Sequence, residues 1–207
     1  MITLINMGYD ARKSLLESGI TGDEWAYYVG TDWINIGSIS NLDKLRTEGM
    51  LLSTNQHFYK PITFDYAQAY YLKRSPSMTK VYADSAIAFL LKKQTRMADD
   101  YRFYASLGKC YALAGNEQLA IQNGKKAIEL LPITLDAFQG PDYERNLAEI
   151  YIMLNKYDLA MDKIEMLLSI PSNLSVGWMM ADPFYEPIRN LPRFKKLAEK
   201  YQYVGKG

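Results

Sequence analysis

The strongest constraint on this chain is a spacing that recurs. Tyr104, Leu107, Gly108 and Tyr111 stand at i, i+3, i+4 and i+7, which is one face of an α-helix. Gly115 follows, where a residue without a Cβ can turn the chain through the left-handed conformation. Asn116 is placed to cap a second helix, which carries Ala120, Gly124, Ala127, Ile128 and Leu131 and stops at Pro132. The same text returns 40 residues on. Leu147-Ala148-x-x-Tyr151 restates Leu107-Gly108-x-x-Tyr111, and Ala160, Ile164 and Leu167 restate Ala120, Gly124 and Ala127. Asn155 replaces Gly115, and asparagine is the next residue most willing to turn left-handed. Weaker copies lie upstream. One is Val29-Gly30-x-x-Trp33, with Gly37, Leu42 and Gly49 after it. The other is Tyr66-Ala67-x-x-Tyr70, followed by Ser75-Pro76 and by Thr79, Ala83 and Ala86.

Helix, turn, helix, with small residues at the crossing and large ones between copies, resembles the tetratricopeptide repeat. That resemblance implies an all-α fold, a TPR-like superhelix of α-hairpins, as one domain over 1–207. The hairpins are expected at about 23–54, 60–93, 101–132 and 141–171. A leading helix is expected over Tyr9 to Ser18, and a capping segment over 182–203 with its helix from Arg193 to Tyr203. Lys195, Lys196, Glu199 and Lys200 should face water there. The 40-residue shift exceeds the usual length of about 34, and the excess falls in the linker Ile133 to Gly140. Gly124, standing where the repeat usually has Phe, should leave room for a bulky neighbour.

From Gly115 onward the likeness is narrower. The marks are Asp136-Ala137 with Gly140-Pro141, Leu147-Ala148-x-Ile150-Tyr151, Leu167 to Ser172, Leu174-Ser175, and Asp182-Pro183 with Ile188-Arg189 and Pro192-Arg193-Phe194. This stretch resembles the C-terminal TPR regions of bacterial multidomain signalling proteins: cyclase-like proteins, Ser/Thr kinases and winged-helix regulators. The resemblance implies a sensing or docking module beside a separate effector, with no catalysis of its own. One reading of Met1 is an added start on a piece of such a protein.

Composition narrows the chemistry. One cysteine, Cys110, and one histidine, His57, exclude an intramolecular disulfide and Cys/His zinc sites within the chain. No cofactor and no metal are expected. The N-terminal apolar stretch is too short for a signal sequence, and no run of about 18 apolar residues is present, so no membrane insertion is expected of this segment. The compartment stays open, cytoplasmic or periplasmic. A formal net charge of +1 gives no global field for nucleic acid. A local patch of Lys73, Arg74, Lys80, Lys92, Lys93 and Arg96 with Tyr70, Tyr71 and Tyr82 reads as a solvated helix face, and no nucleic-acid partner is expected. Gly124-Lys125-Lys126 lacks the first glycine and the hydroxyl of a phosphate loop. His57 has no nucleophile at a recognisable spacing, and Cys110 reads as a small buried hydrophobe. Asp23-Glu24 and Asp99-Asp100 stand where helices begin, where their charge offsets the helix dipole.

An enzyme is therefore not expected, and a protein or peptide partner is. First helices of TPR hairpins line a groove. Counting from the small slots, its wall should be Tyr27, Thr31, Phe64, Gln68, Tyr71, Arg102, Lys109, Arg145 and Glu149. Lys109 and Asn146 match part of a carboxylate clamp, but Ala105 and Glu149 stand where the clamp needs a base and an amide, so the clamp is rejected. The alternatives are self-association of a larger protein and, further off, a small-ligand-binding or enzymatic domain.

Overall fold

The computed structural model describes residues 52–54, 59–93 and 97–201. Tyr27, Thr31, the Trp33 copy, the leading helix over Tyr9 to Ser18, Asp23-Glu24, His57 and Arg96 lie outside the described residues. Among the described residues the protein is mostly helical. The sole sheet among them is a short antiparallel pair, β1 (Leu52–Thr54) with β2 (Tyr59–Pro61), in the register Leu52 opposite Pro61. The expected 23–54 hairpin is corrected at its last three residues, which are extended rather than helical. Pro61 makes the junction. Its fixed φ of −68° with an extended ψ of 146° ends β2 and opens the helix that follows.

Six helices follow in antiparallel succession: α1 (Ile62–Leu72), α2 (Pro76–Leu91), α3 (Tyr101–Leu113), α4 (Glu117–Leu130), α5 (Gly140–Met153) and α6 (Tyr157–Ser169). Each packs on the next, and α3 also packs on α1 and on α5. Then come α7 (Val176–Ala181), a 3-10 turn (Pro183–Tyr185), α8 (Glu186–Arg189) and α9 (Pro192–Tyr201).

The turns α1–α2, α3–α4 and α5–α6 are built alike. Arg74, Gly115 and Asn155 sit in the left-handed region at φ 56°, 81° and 57°. The next residue, Ser75, Asn116 or Lys156, donates its amide back to the carbonyl of Tyr70, Tyr111 or Tyr151. The left-handed residue itself donates to Tyr71, Ala112 or Ile152. This is the Schellman closure, made three times with a tyrosine at the same place. The residue that completes each closure is also the N-cap of the next helix. Asn116 caps with its side chain, accepting from the Leu119 amide at 3.2 Å. Ser75 does not. Its carbonyl takes the Thr79 amide and hydroxyl instead, while Pro76, which lacks an N–H, starts the helix.

The small slots explain the close approach of α3 and α4. A Cβ on Gly108 would stand 2.9 Å from the Gly124 amide nitrogen and 3.1 Å from the Ala120 carbonyl oxygen. A Cβ on Gly124 would meet Ile150 Cδ1 at 2.8 Å and Leu147 Cδ1 at 3.0 Å. The space left by the missing Phe is thus filled by the following hairpin. Thr79, Ala83 and Ala86 of α2, Ala120 and Ala127 of α4, and Ala160, Ile164 and Leu167 of α6 are all buried at matching positions. One apolar cluster runs through these helices and on into Met179, Tyr185, Ile188, Phe194 and Leu197 of the C-terminal segment.

Candidate functional site

The groove residues called from the sequence separate into different environments. Phe64 is fully buried in the main core, so no partner reaches it. Gln68 is half-buried on α1. Arg102 lies at the start of α3 and pairs at 2.8 Å with Asp100, the N-cap residue that also accepts the Arg102 amide at 2.9 Å. Burial opposes ionisation of Asp100, but these Arg102 contacts outweigh it and hold the carboxyl below its usual range.

Lys109, Arg145 and Glu149 do come together, but beneath the C-terminal segment. Lys109 and Glu149 are only 6% and 7% exposed and form an ion pair. Arg145 reaches Asp142 at 3.3 Å and Glu149 at 3.9 Å. Over them lies the chain from Ser175 to Arg189. The Tyr185 hydroxyl donates to Glu149 Oε1 at 2.7 Å, and the Trp178 ring sits 5.4 Å from the Arg145 guanidinium. Asp182 caps the 3-10 turn by accepting from the Phe184 amide at 2.9 Å, and takes the Trp178 indole N–H at 3.3 Å. Arg189 ties the segment to itself through the carbonyls of Met179 and Asp182.

The two acids of this cluster shift in opposite directions. Burial pushes the Glu149 carboxyl up, but Lys109 and Arg145, with hydrogen bonds from Lys109 and Tyr185, outweigh it and hold it below its ordinary value. Burial wins at Asp182, with the Glu149 charge adding to it, against the Phe184 amide. The Tyr185 phenol is raised well above its ordinary value by burial and then by Glu149, so it stays a neutral donor. Burial likewise drives the Cys110 thiol far up, which leaves it protonated and unreactive. Asn146, expected as part of a clamp, is buried and donates to the Ala105 carbonyl at 3.2 Å, joining α5 to α3.

Tyr71 stands elsewhere. It half-covers one wall of a cleft of about 840 Å³ along the edge where the three Schellman turns lie. Arg74, Gly115 and Asn155, the left-handed residues, all line it. Phe184 also lines it and packs on Tyr71, the ring centroids 5.9 Å apart. Arg74 bridges the mouth to Glu186 at 2.8 Å, both side chains being largely exposed. Lys80 also lines the cleft and pairs with Asp84 at 3.0 Å. Beside it three tyrosines stack, with Tyr82 between Tyr66 at 4.8 Å and Tyr70 at 5.4 Å. Those rings of the basic patch therefore pack on one another. Lys93, just past the end of α2, lies over Phe89 at 5.4 Å.

Sequence reasoning passed over Trp178, Asp182, Phe184 and Tyr185 as contacts of the groove wall. The available signal was Asp182-Pro183, an N-cap followed by proline, which marks a turn starting over whatever lies beneath. Among the described residues, no group of three or more His, Cys, Asp or Glu is arranged to hold a metal ion. No helix among them is long and apolar enough to cross a membrane. No protein-family model, curated protein or solved structure matches the chain.

Proposed function

We propose that this chain is a helical-repeat module of the tetratricopeptide kind that binds a protein or peptide segment and catalyses no reaction. It would serve as the docking part of a larger bacterial signalling protein. The observation that carries the reading is the threefold turn. Identical closures at Arg74, Gly115 and Asn155 deliver equivalent positions of successive hairpins to one continuous edge, as repeat modules do when they build an extended binding surface. In this reading α9 is the capping helix. Phe194 and Leu197 face inward, and Lys195, Lys196, Glu199 and Lys200 face water. Arg193 fastens it to α6 through Asp162 and Glu165, each at 2.7 Å.

The binding surface is the cleft at that edge rather than the Lys109–Arg145–Glu149 wall, which the chain's own Ser175–Arg189 segment covers. Tyr71 is the member of the expected groove that lines the cleft. Its walls mix aromatic, apolar and polar side chains, the composition that holds an extended segment by side-chain pockets. Selection of a random dodecapeptide library on the immobilised protein tests this. Enriched peptides should lose at least about tenfold in affinity on Tyr71→Ala, the loss of one aromatic contact. Enrichment of none, or equal binding to the variant, would refute the cleft.

A further inference from the structure

Arg74, Gly115 and Asn155 hold equivalent left-handed positions, and all three line the cleft. Glycine suits that region and asparagine tolerates it, whereas a long side chain on a Cβ is disfavoured there. Arg74 therefore keeps its φ of 56° at a cost that Gly115 avoids and Asn155 lessens. The packing around it does not offset that cost. The Arg74 side chain is 80% exposed, and its one ion pair among the described residues is with Glu186, 60% exposed, at 2.8 Å. A pair so open to water adds little to folding. What is left for the guanidinium to act on is the cleft in which it stands.

Three charged side chains line that cleft: Arg74, Lys80 and Glu186. Lys80 pairs with Asp84, which stands outside the lining, so the lining itself carries two cations to one acid. Hydroxyl donors stand among them. Neither the Tyr71 nor the Ser75 hydroxyl has a hydrogen-bond partner among the described residues, although Ser75 is the N-cap of α2. Burial raises the Tyr71 phenol above its ordinary value and Tyr157 adds to this against the Arg74 charge, so the phenol is a neutral donor in the field of that guanidinium. A guanidinium, an ammonium and hydroxyls are the groups that hold a carboxylate. Glu186 already demonstrates the fit, because its own carboxylate takes the guanidinium at the mouth.

We propose that the segment bound in the cleft is acidic: an Asp or Glu side chain of the partner displaces Glu186 and pairs with Arg74. The proposal rests on the cleft being the binding surface and names what that surface selects. Glu186 is then a built-in competitor. It keeps Arg74 paired while the cleft is empty, and gives way because an exposed pair exchanges at little cost.

The test uses the full chain and a synthetic random dodecapeptide library with amidated C-termini, so that every carboxylate belongs to a side chain. Enriched peptides should carry more Asp and Glu than Lys and Arg. Replacing those acids by Asn and Gln should weaken binding to the wild type about tenfold, and Arg74→Gly should lose about the same for the acidic peptide and be indifferent to the replacement. Glu186→Gln should bind the acidic peptide more tightly, by about threefold. Arg74→Gly should melt no lower than the wild type, since glycine accepts the left-handed angle freely. Peptides without an acidic bias, equal binding by Arg74→Gly, weaker binding by Glu186→Gln, or an Arg74→Gly variant that melts well below the wild type would each overturn the proposal. If enriched peptides require Tyr71 but show no acidic bias, the acidic ligand falls and the cleft stands. If they ignore both Tyr71 and Arg74, both readings fall.

Discussion

The turn edge and the covered wall of α3 and α5 are made from the same hairpins, yet they are built by different rules. At the edge each hairpin does the same thing: a tyrosine carbonyl, a left-handed residue and an N-cap recur at Tyr70, Tyr111 and Tyr151. At the wall the slot recurs but the residue does not. Lys109 on α3 and Glu149 on α5 follow the equivalent small residues Gly108 and Ala148, yet carry opposite charges and pair, and with Arg145 they are covered by Trp178 and Tyr185 from a segment that has no counterpart in the repeat. The difference teaches that repetition sets the frame, while a single non-repeating segment selects which face of that frame is left open.

The largest effect should come from the wall. Glu149→Leu leaves Lys109 and Arg145 buried without that carboxylate, at a cost of about 3–5 kcal/mol in chemical denaturation. Its pH dependence sharpens the point. The folded-state pKa of Glu149 lies below its ordinary 4.5, so its contribution is present above that value and fades as pH falls through the lowered pKa. Asp182 has the opposite sign: its pKa is raised, so its contribution is fully present below its ordinary 3.8 and is lost as pH rises through the raised value. The gap in stability between wild type and Glu149→Leu should therefore narrow as pH is lowered below 4.5. A gap that stays constant down to pH 3 would mean that Glu149 is not the ionised partner of Lys109.

Between the two regions lies the crossing of α3 and α4. Gly108→Ala should cost about 1–3 kcal/mol, because its Cβ meets backbone atoms that cannot move independently of the helices. The equivalent Ala148 and Ala67 already carry that Cβ, so a loss near zero at Gly108 would show the three crossings to be interchangeable.

The smallest effects belong to the edge. Gly115→Ala meets no atom within 4 Å, so its cost is the left-handed conformation alone, about 1–2 kcal/mol. Asn155→Gly should change stability by less than about 1 kcal/mol, with the same turn kept. A larger loss at Asn155 would show that its 2.8 Å bond from the Tyr157 hydroxyl, and not the backbone angle, holds that turn.

Much of the frame was legible in the residues. Gly115 and Asn155 announce left-handed turns because few other residues tolerate them, and both adopt them. Arg74 adopts the same angle without any such signature, and only its place before Ser75-Pro76 hinted at a stop. The vacancy at Gly124 foretold a bulky neighbour, and Ile150 and Leu147 fill it. Counting helical faces was less use for the candidate site. It placed Phe64 on an open wall, whereas β2 and α3 pack on α1 and bury it.

The sequence alone determined the helices, their stops and the spacing of the hairpins, because those depend on residues a few positions apart and on what each backbone angle tolerates. Only the tertiary structure decided which surface is open. That choice rests on contacts such as Tyr185 with Glu149 and Arg74 with Glu186, between residues 36 and 112 positions apart, which no local pattern records.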